Sequence, residues 1–305
     1  MSGAERPVAG MAWFRDVVEY RLLPVLAALM PWPMFFRLGR RLCARPWLFA
    51  EETRSCLSAA SSLGHAADAA LWQRHHALVR LTDQVDASIS ARHGDAWLDR
   101  YLDVDGQWPA GPFVGITFHF GAGLWAIRHL RRTGQRVAFL SGPQGPEMFP
   151  GHPLRHAFEM RRMAEVERAG GAATIYLGGS LEKMRQALAD GISVIGLIDV
   201  AGRPAAATRS TRFLGRSARF PDGLLHLARS WQLPVAVFVS YPDVHSGRRR
   251  LIIRSVDAGR DDTLDAVIRV LETAVVVAPW AWHFWPAASA LFDSSSSAEH
   301  SDGRV

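Results

Sequence analysis

Three short apolar runs, GPFVGITF at 111–118, ISVIGLI at 192–198 and PVAVFVS at 234–240, limit what this chain can fold into more than anything else in it. None of them alternates polar with apolar positions, so an open sheet with one wet face would expose half of each; a sheet covered on both sides keeps them dry. Segments of helical pattern, bounded by Gly and Pro, separate the runs, and that alternation is the mark of an α/β fold. The spacing predicts strands over 112–118, 136–140, 173–177, 192–198, 234–240 and 250–256. Helices are expected over 122–132, 153–169, 180–190, 222–231 and 262–277, with Ser180 capping the third of them and Gly191 ending it. The expected fold is α/β: a mixed, largely parallel sheet covered by helices on both faces.

Ahead of that domain lies LLPVLAALMPWPMFF at 22–36. At 1.5 Å per residue a helix of this length reaches only about 22 Å, short of a bilayer core, and Pro24, Pro31 and Pro33 interrupt it. Arg37, Arg40, Arg41 and Arg45 follow, no acid occurs between Pro31 and Ala50, and Trp32 and Trp47 suit headgroup depth. The pattern is that of an apolar helical segment lying in a membrane interface; the alternative is a kinked helix hairpin packed on the domain. The expected organisation is a disordered 1–10, a membrane-associating helical segment over 11–50, an α/β domain over 51–292 and a disordered serine-rich tail over 293–305.

A hydrophobic fraction of 49% against 21% charged residues excludes a wholly disordered chain. The formal charge of +6 suits an anionic partner: nucleic acid, a membrane surface or an acidic carrier protein. Neither a nucleic-acid-binding module nor basic residues interleaved with aromatics on a strand can be found, which argues against nucleic acid. Cys43 and Cys56 stand thirteen positions apart with no histidine at ligand spacing, so neither a zinc site nor a disulfide framework is expected. No other metal or cofactor is indicated.

His119 directly follows the first apolar run, with Gly121 and Gly123 leading into a helix, and Asp199 directly follows the second. Reacting groups of open α/β sheets collect at the carboxyl ends of strands, so parallel strands would bring these two to one edge. A histidine there can take a proton from an attacking hydroxyl if a carboxylate orients it. From Val200 to Pro221 no acid occurs, whereas Arg203, Arg209, Arg212, Arg216 and Arg219 do, a candidate site for phosphates or for an acidic carrier. FPDG at 220–223 then turns into a helix, and the free amides around Gly223 suit an anion or a developing oxyanion.

The stretches GITFHFGAGLW, LEKMRQALADGISVIGLIDV, STRFLGRSARFPDGLLHLARSWQLPVAVFV and PWAWHFW, in this order, resemble the lysophospholipid acyltransferase-like superfamily. The nearest branch is the bacterial lipid A lauroyl/myristoyl acyltransferases, and the resemblance spans about Arg15 to Phe292. His119, Phe120 and Gly121 match that family's histidine motif, Asp199 its strand-end aspartate, and Phe213, Gly215 and Arg216 its Phe-x-Gly-Arg element. The motif's acid, five positions after the histidine, is replaced by Leu124. The resemblance implies a membrane-associated acyltransferase at the cytoplasmic face of a bacterial inner membrane. It would move an acyl group from an acyl-carrier-protein or CoA thioester to a hydroxyl or amine of a lipid, glycolipid or related acceptor. With Leu124 in the acid's place, Asp199 is expected to support His119. The alternatives are a histidine that works unassisted on an activated acceptor, and a non-catalytic relative that binds acyl carrier or lipid.

Overall fold

The computed structural model describes residues 9–200 and 208–293. The chain opens with α1 (Ala9–Val17), one π-helical turn (Val18–Leu22), α2 (Leu23–Leu29) and α3 (Trp32–Leu42), then α4 (Ala50–Ser62), α5 (Ala69–Arg92) and α6 (Asp95–Tyr101). There follow β1 (Leu102–Asp105), β2 (Val114–Thr117), α7 (Leu124–Arg132), β3 (Arg136–Ser141), α8 (Pro153–Gly170), β4 (Ile175–Tyr176), α9 (Ser180–Ala189) and β5 (Ile192–Leu197). A ribbon of β6 (Thr208–Phe213) and β7 (Arg216–Pro221) leads to α10 (Gly223–Ser230), β8 (Val235–Pro242), β9 (Arg249–Val256), α11 (Thr263–Val277) and two 3-10 turns, Pro279–Ala281 and Trp285–Ala290.

Seven strands form one sheet in the order β1-β9-β8-β2-β5-β3-β4, parallel at every pair except the hairpin β8–β9. The fully apolar runs are its central strands, and every residue of β2 and of β8 is buried. Steps from β2 to β3 to β4 run one way along the sheet, those from β4 to β5 to β8 the other way. Because crossovers are right-handed, α7 and α8 cover one face and α9 and α10 the opposite one. The expected covered, mixed sheet is therefore present.

Three strands lie where none was expected: β1 at the sheet edge, and β6 and β7, which pair with each other outside the main sheet. Ser180 does not cap α9. Gly179, in the left-handed region at φ 68°, holds the cap position without a side-chain bond, and Ser180 is the first helical residue. Gly191 does follow the helix end, at φ 72°.

The N-terminal helices are part of the core. Leu23, Ala27, Trp32, Phe35, Phe36, Leu48 and Phe49 are buried in the same hydrophobic cluster as the sheet, and α2 lies against α5. Pro24, which lacks an N–H, falls in the first turn of α2, and the turn before it widens to π geometry. No helix among the described residues is long and apolar enough to cross a membrane. Residues 9 and 10, expected to be disordered, begin α1, and Asp293 accepts a hydrogen bond from Ser217 on the ribbon; 1–8 and 294–305 lie outside the described residues.

A buried cation ties the layers together. Arg249 on β9 is fully buried, pairs with Asp86 on α5, and sets its guanidinium over Trp32 at 3.9 Å, with Trp97 at 5.0 Å and Trp125 at 5.5 Å. A charge so placed needs both its counterion and the ring faces to offset lost hydration.

Candidate active site

Parallel register carries the site. Thr117 on β2 pairs with Leu197 on β5, so two residues further His119 and Asp199 leave adjacent strands at the same level of the carboxyl edge. Asp199 is fully buried and accepts three hydrogen bonds. Its Oδ2 takes the His119 backbone N–H and the Trp282 indole N–H, each at 2.8 Å, and its Oδ1 takes His119 Nδ1–H at 2.9 Å. A carboxylate oxygen only accepts, so His119 carries its proton on Nδ1 and keeps the Nε2 lone pair free. Burial disfavours imidazolium, but the charge and hydrogen bond of Asp199 outweigh it and hold the His119 pKa above the usual 6.5; Arg162 opposes that rise.

The segment 279–285 closes the edge. His283 donates its backbone N–H to His119 O at 2.8 Å, Gly121 donates to Ala281 O at 2.7 Å, and the Phe284 ring stacks on the imidazole at 5.0 Å. Gly121 sits at φ 67°, where a Cβ would fall 2.2 Å from Ser240 O, so only glycine lets the chain turn off β2 against β8.

Two cavities meet at His119. One, of about 730 Å³, runs between β3, β5, α9 and α10 and is walled by Leu140, Leu177, Leu181, Met184, Leu197, Ile198, Leu224 and Leu227, with Gly223 at the start of α10. The other, of about 310 Å³, has a charged wall of Arg80, Asp83, Glu159 and Arg162 and an apolar wall that includes Leu124, Ile127, Met163 and Val166. Leu124 is buried in that wall at the first position of α7, beside the histidine whose partner comes from β5 instead.

The structure thus brings His119 and Asp199 into contact and puts Gly223 in the wall of the apolar cavity that His119 also lines. It does not bring the arginines there. Arg209, Arg212, Arg216 and Arg219 lie on the β6–β7 ribbon and line neither cavity; Arg203 lies outside the described residues. The ribbon is two-faced: Thr211, Phe213, Ala218 and Phe220 are buried, and Phe213 packs edge-on to Trp282 at 5.4 Å, directly behind Asp199. Arg212 and Arg219 project from its outer face and bond only uncharged groups, Arg216 covers the Phe292 ring, and Arg209 bonds the Asp261 carbonyl. Among the described residues none of the four is ion-paired.

Sequence reading missed the residues that complete the site from elsewhere. Arg80 belongs to the long α5, Arg162 to α8, and Trp282 and His283 to the closing segment. His and Arg scattered along helices carry no local signal of a site; the Trp-His pair in PWAWHFW was the one cue available. No group of side chains suited to a metal ion occurs among the described residues. No family model matches the chain, and no curated protein matches it.

Proposed function

We propose that the protein is an acyltransferase working at a membrane surface, moving an acyl group from an acyl-carrier-protein or CoA thioester to a hydroxyl or amine of a lipid-like acceptor. The observation that carries this reading is the His119–Asp199 pair set where an apolar cavity joins a polar one. His119 Nε2 takes the acceptor's proton as its oxygen attacks the thioester carbonyl. Asp199 stabilises the imidazolium, and the proton passes on to the departing thiolate, leaving ester and free thiol. The apolar cavity takes the acyl chain. Free amides at the start of α10, around Gly223, face the developing oxyanion.

The unpaired arginines of the ribbon support a docking role for an acidic carrier protein, since β7 leads straight into the cavity wall through Pro221 and Gly223. Trp13, Phe14, Leu22, Val25, Leu29 and Met34 of the N-terminal helices are apolar side chains between 48% and 62% exposed, and Arg37, Arg40 and Arg41 follow them in the chain. It suits peripheral association with an anionic leaflet, the cytoplasmic face of a bacterial inner membrane.

Transfer from dodecanoyl-CoA or the dodecanoyl carrier protein tests the reading. His119→Ala should lower kcat about 10³-fold or more, Asp199→Asn nearly as much, and the double variant little further, because the two act as one unit. Leu124→Glu in the Asp199→Asn background should recover part of the rate. Wild-type turnover in both single variants would overturn the assignment and leave a protein that binds acyl carrier or lipid without reacting.

A further inference from the structure

The sheet edge that carries His119 also gathers cations that the site does not use. β8 runs parallel to β2, so the turn after it leaves the sheet at the same carboxyl edge, with His245 exposed in that turn. Trp32 on α3 donates its indole N–H to Gly247 O in the turn at 3.0 Å, and His76 on α5 donates Nδ1–H to Trp280 O in the closing segment at 2.8 Å. These bonds hold α3, α5, the turn and the closing segment against one another. The His75 ring then stands edge-on to Trp280 at 4.5 Å and to His245 at 6.2 Å. Burial comes first in lowering the His75 pKa below 6.5, and His245, Arg40 and Arg74, each near enough to act on its charge, lower it further against Asp68.

This cluster lacks counterions. Arg40 and Arg74 are exposed, and among the described residues neither is ion-paired. The two acids nearby are engaged elsewhere: Asp68 Oδ1 accepts the Leu71 N–H at the start of α5, and Asp243 accepts from the backbone of His245 and Ser246 and pairs with Arg250. His75 Nδ1 is buried without a partner, which leaves Nε2 as the nitrogen that can meet a ligand. Two guanidiniums and two imidazoles, drawn from three elements, suit an anion with several acceptor oxygens, as a phosphate has. The surroundings select among phosphates. Leu177 and Leu181, 45% and 59% exposed, line the apolar cavity at this same edge, and Trp13 and Phe14 precede Asp16, which His152 ties to the start of α8 there. A free phosphate gains nothing from apolar neighbours, whereas a headgroup phosphate arrives with acyl chains beside it.

We propose that Arg40, Arg74, His75 and His245 form a headgroup site for the phosphate of an anionic phospholipid, and that its occupation turns the carboxyl edge, with the cavities at His119, toward the leaflet. This deepens the membrane-surface reading above and rests on it. The arginines supply charge and paired N–H donors to the phosphate oxygens, and the imidazoles donate to the same group, with Trp280 packed against the His75 ring.

The test uses the full chain, labelled with ¹⁵N-histidine, in a neutral detergent. Dihexanoylphosphatidate should shift the His75 and His245 ring signals saturably and leave those of His226, exposed on α10, in place. Dihexanoylphosphatidylcholine should shift neither, and inorganic phosphate should need at least about tenfold higher concentration. No shift, a shift of His226 as large as theirs, or equal affinity for inorganic phosphate would overturn the lipid site. Vesicles of about four parts phosphatidylcholine to one of phosphatidate give the second readout. Arg40→Gln with Arg74→Gln should weaken sedimentation with them at least about tenfold, against less than about threefold for Arg92→Gln with Arg185→Gln, which removes equal charge from exposed positions elsewhere. Equal losses would leave membrane association standing and overturn the site, whereas a wild type that does not sediment with these vesicles would overturn both. Should the first double variant fail to fold, the wild-type spectra still decide.

Discussion

A carboxylate that accepts three hydrogen bonds in full burial has no freedom to rotate away, so Asp199 holds the His119 imidazole in one tautomer and one orientation. Its effect has a sign. By raising the imidazole's pKa it enlarges the protonated fraction near neutrality, and a general base works only when neutral. The pH profile of kcat/KM should therefore rise through an apparent pKa above 6.5. Asp199→Asn leaves only burial and Arg162 acting on the ring, both of which disfavour imidazolium, so the residual activity should titrate at lower pH. An unchanged apparent pKa in that variant would mean that another group is the base. The ion pair's stabilisation runs the opposite way: it is complete below the unfolded pKa and disappears as pH rises through the raised folded one.

At the scale of elements, the N-terminal helices have two separable faces. Phe35 on α3 is fully buried beside Trp32, whereas Trp13, Phe14 and Leu29 are about three-fifths exposed. Phe35→Ala should cost about 3–5 kcal/mol of stability. The triple change Trp13→Ser, Phe14→Ser, Leu29→Ser should leave the melting temperature in place yet weaken sedimentation with anionic vesicles by well over about tenfold. Unaltered sedimentation would refute the proposed interfacial contact. The sequence made this apolar segment visible but not its inner face, because period-3.6 burial is masked when prolines divide it into short pieces. Elements were legible wherever both faces are buried, as in β2, β5 and β8, and there the position of His119 against Asp199 followed from strand ends alone. The β6–β7 ribbon was hidden because arginines alternate with its buried Thr211, Phe213, Ala218 and Phe220, so charge drew attention from a period of two. Arg80 and Arg162 were illegible for another reason: they meet the site only through packing of α5 and α8.

At the scale of the whole molecule, His76, His283 and Glu19 are among the buried groups of the described residues that shape its response to acid. His76 and His283, with pKa values lowered to about 3, stay neutral in the fold but take up protons from about pH 6.5 downward once unfolded. Glu19, buried in the π turn where its Oε1 accepts the Phe49 N–H, is raised to about 7 and has the opposite sign: its fold-favouring protonation grows as pH falls from 7 toward 4.5. Two protons against one leave these groups a net loss of about 1.4 kcal/mol per pH unit between roughly 6.5 and 4.5. Denaturant midpoints across that range should fall with pH, and Glu19→Gln, which keeps the acceptor, should steepen the fall; a flat response would show that the imidazoles are not buried neutral. One further matter concerns time. The exposed apolar residues of α1–α3 leave the ribosome before either His119 or Asp199, and Trp282 and His283, which fasten both to the closing segment, leave later still. On the proposed reading a growing chain can settle on a membrane surface while the base still lacks its brace, and reactivity toward thioesters would arise only after delivery to the place of use.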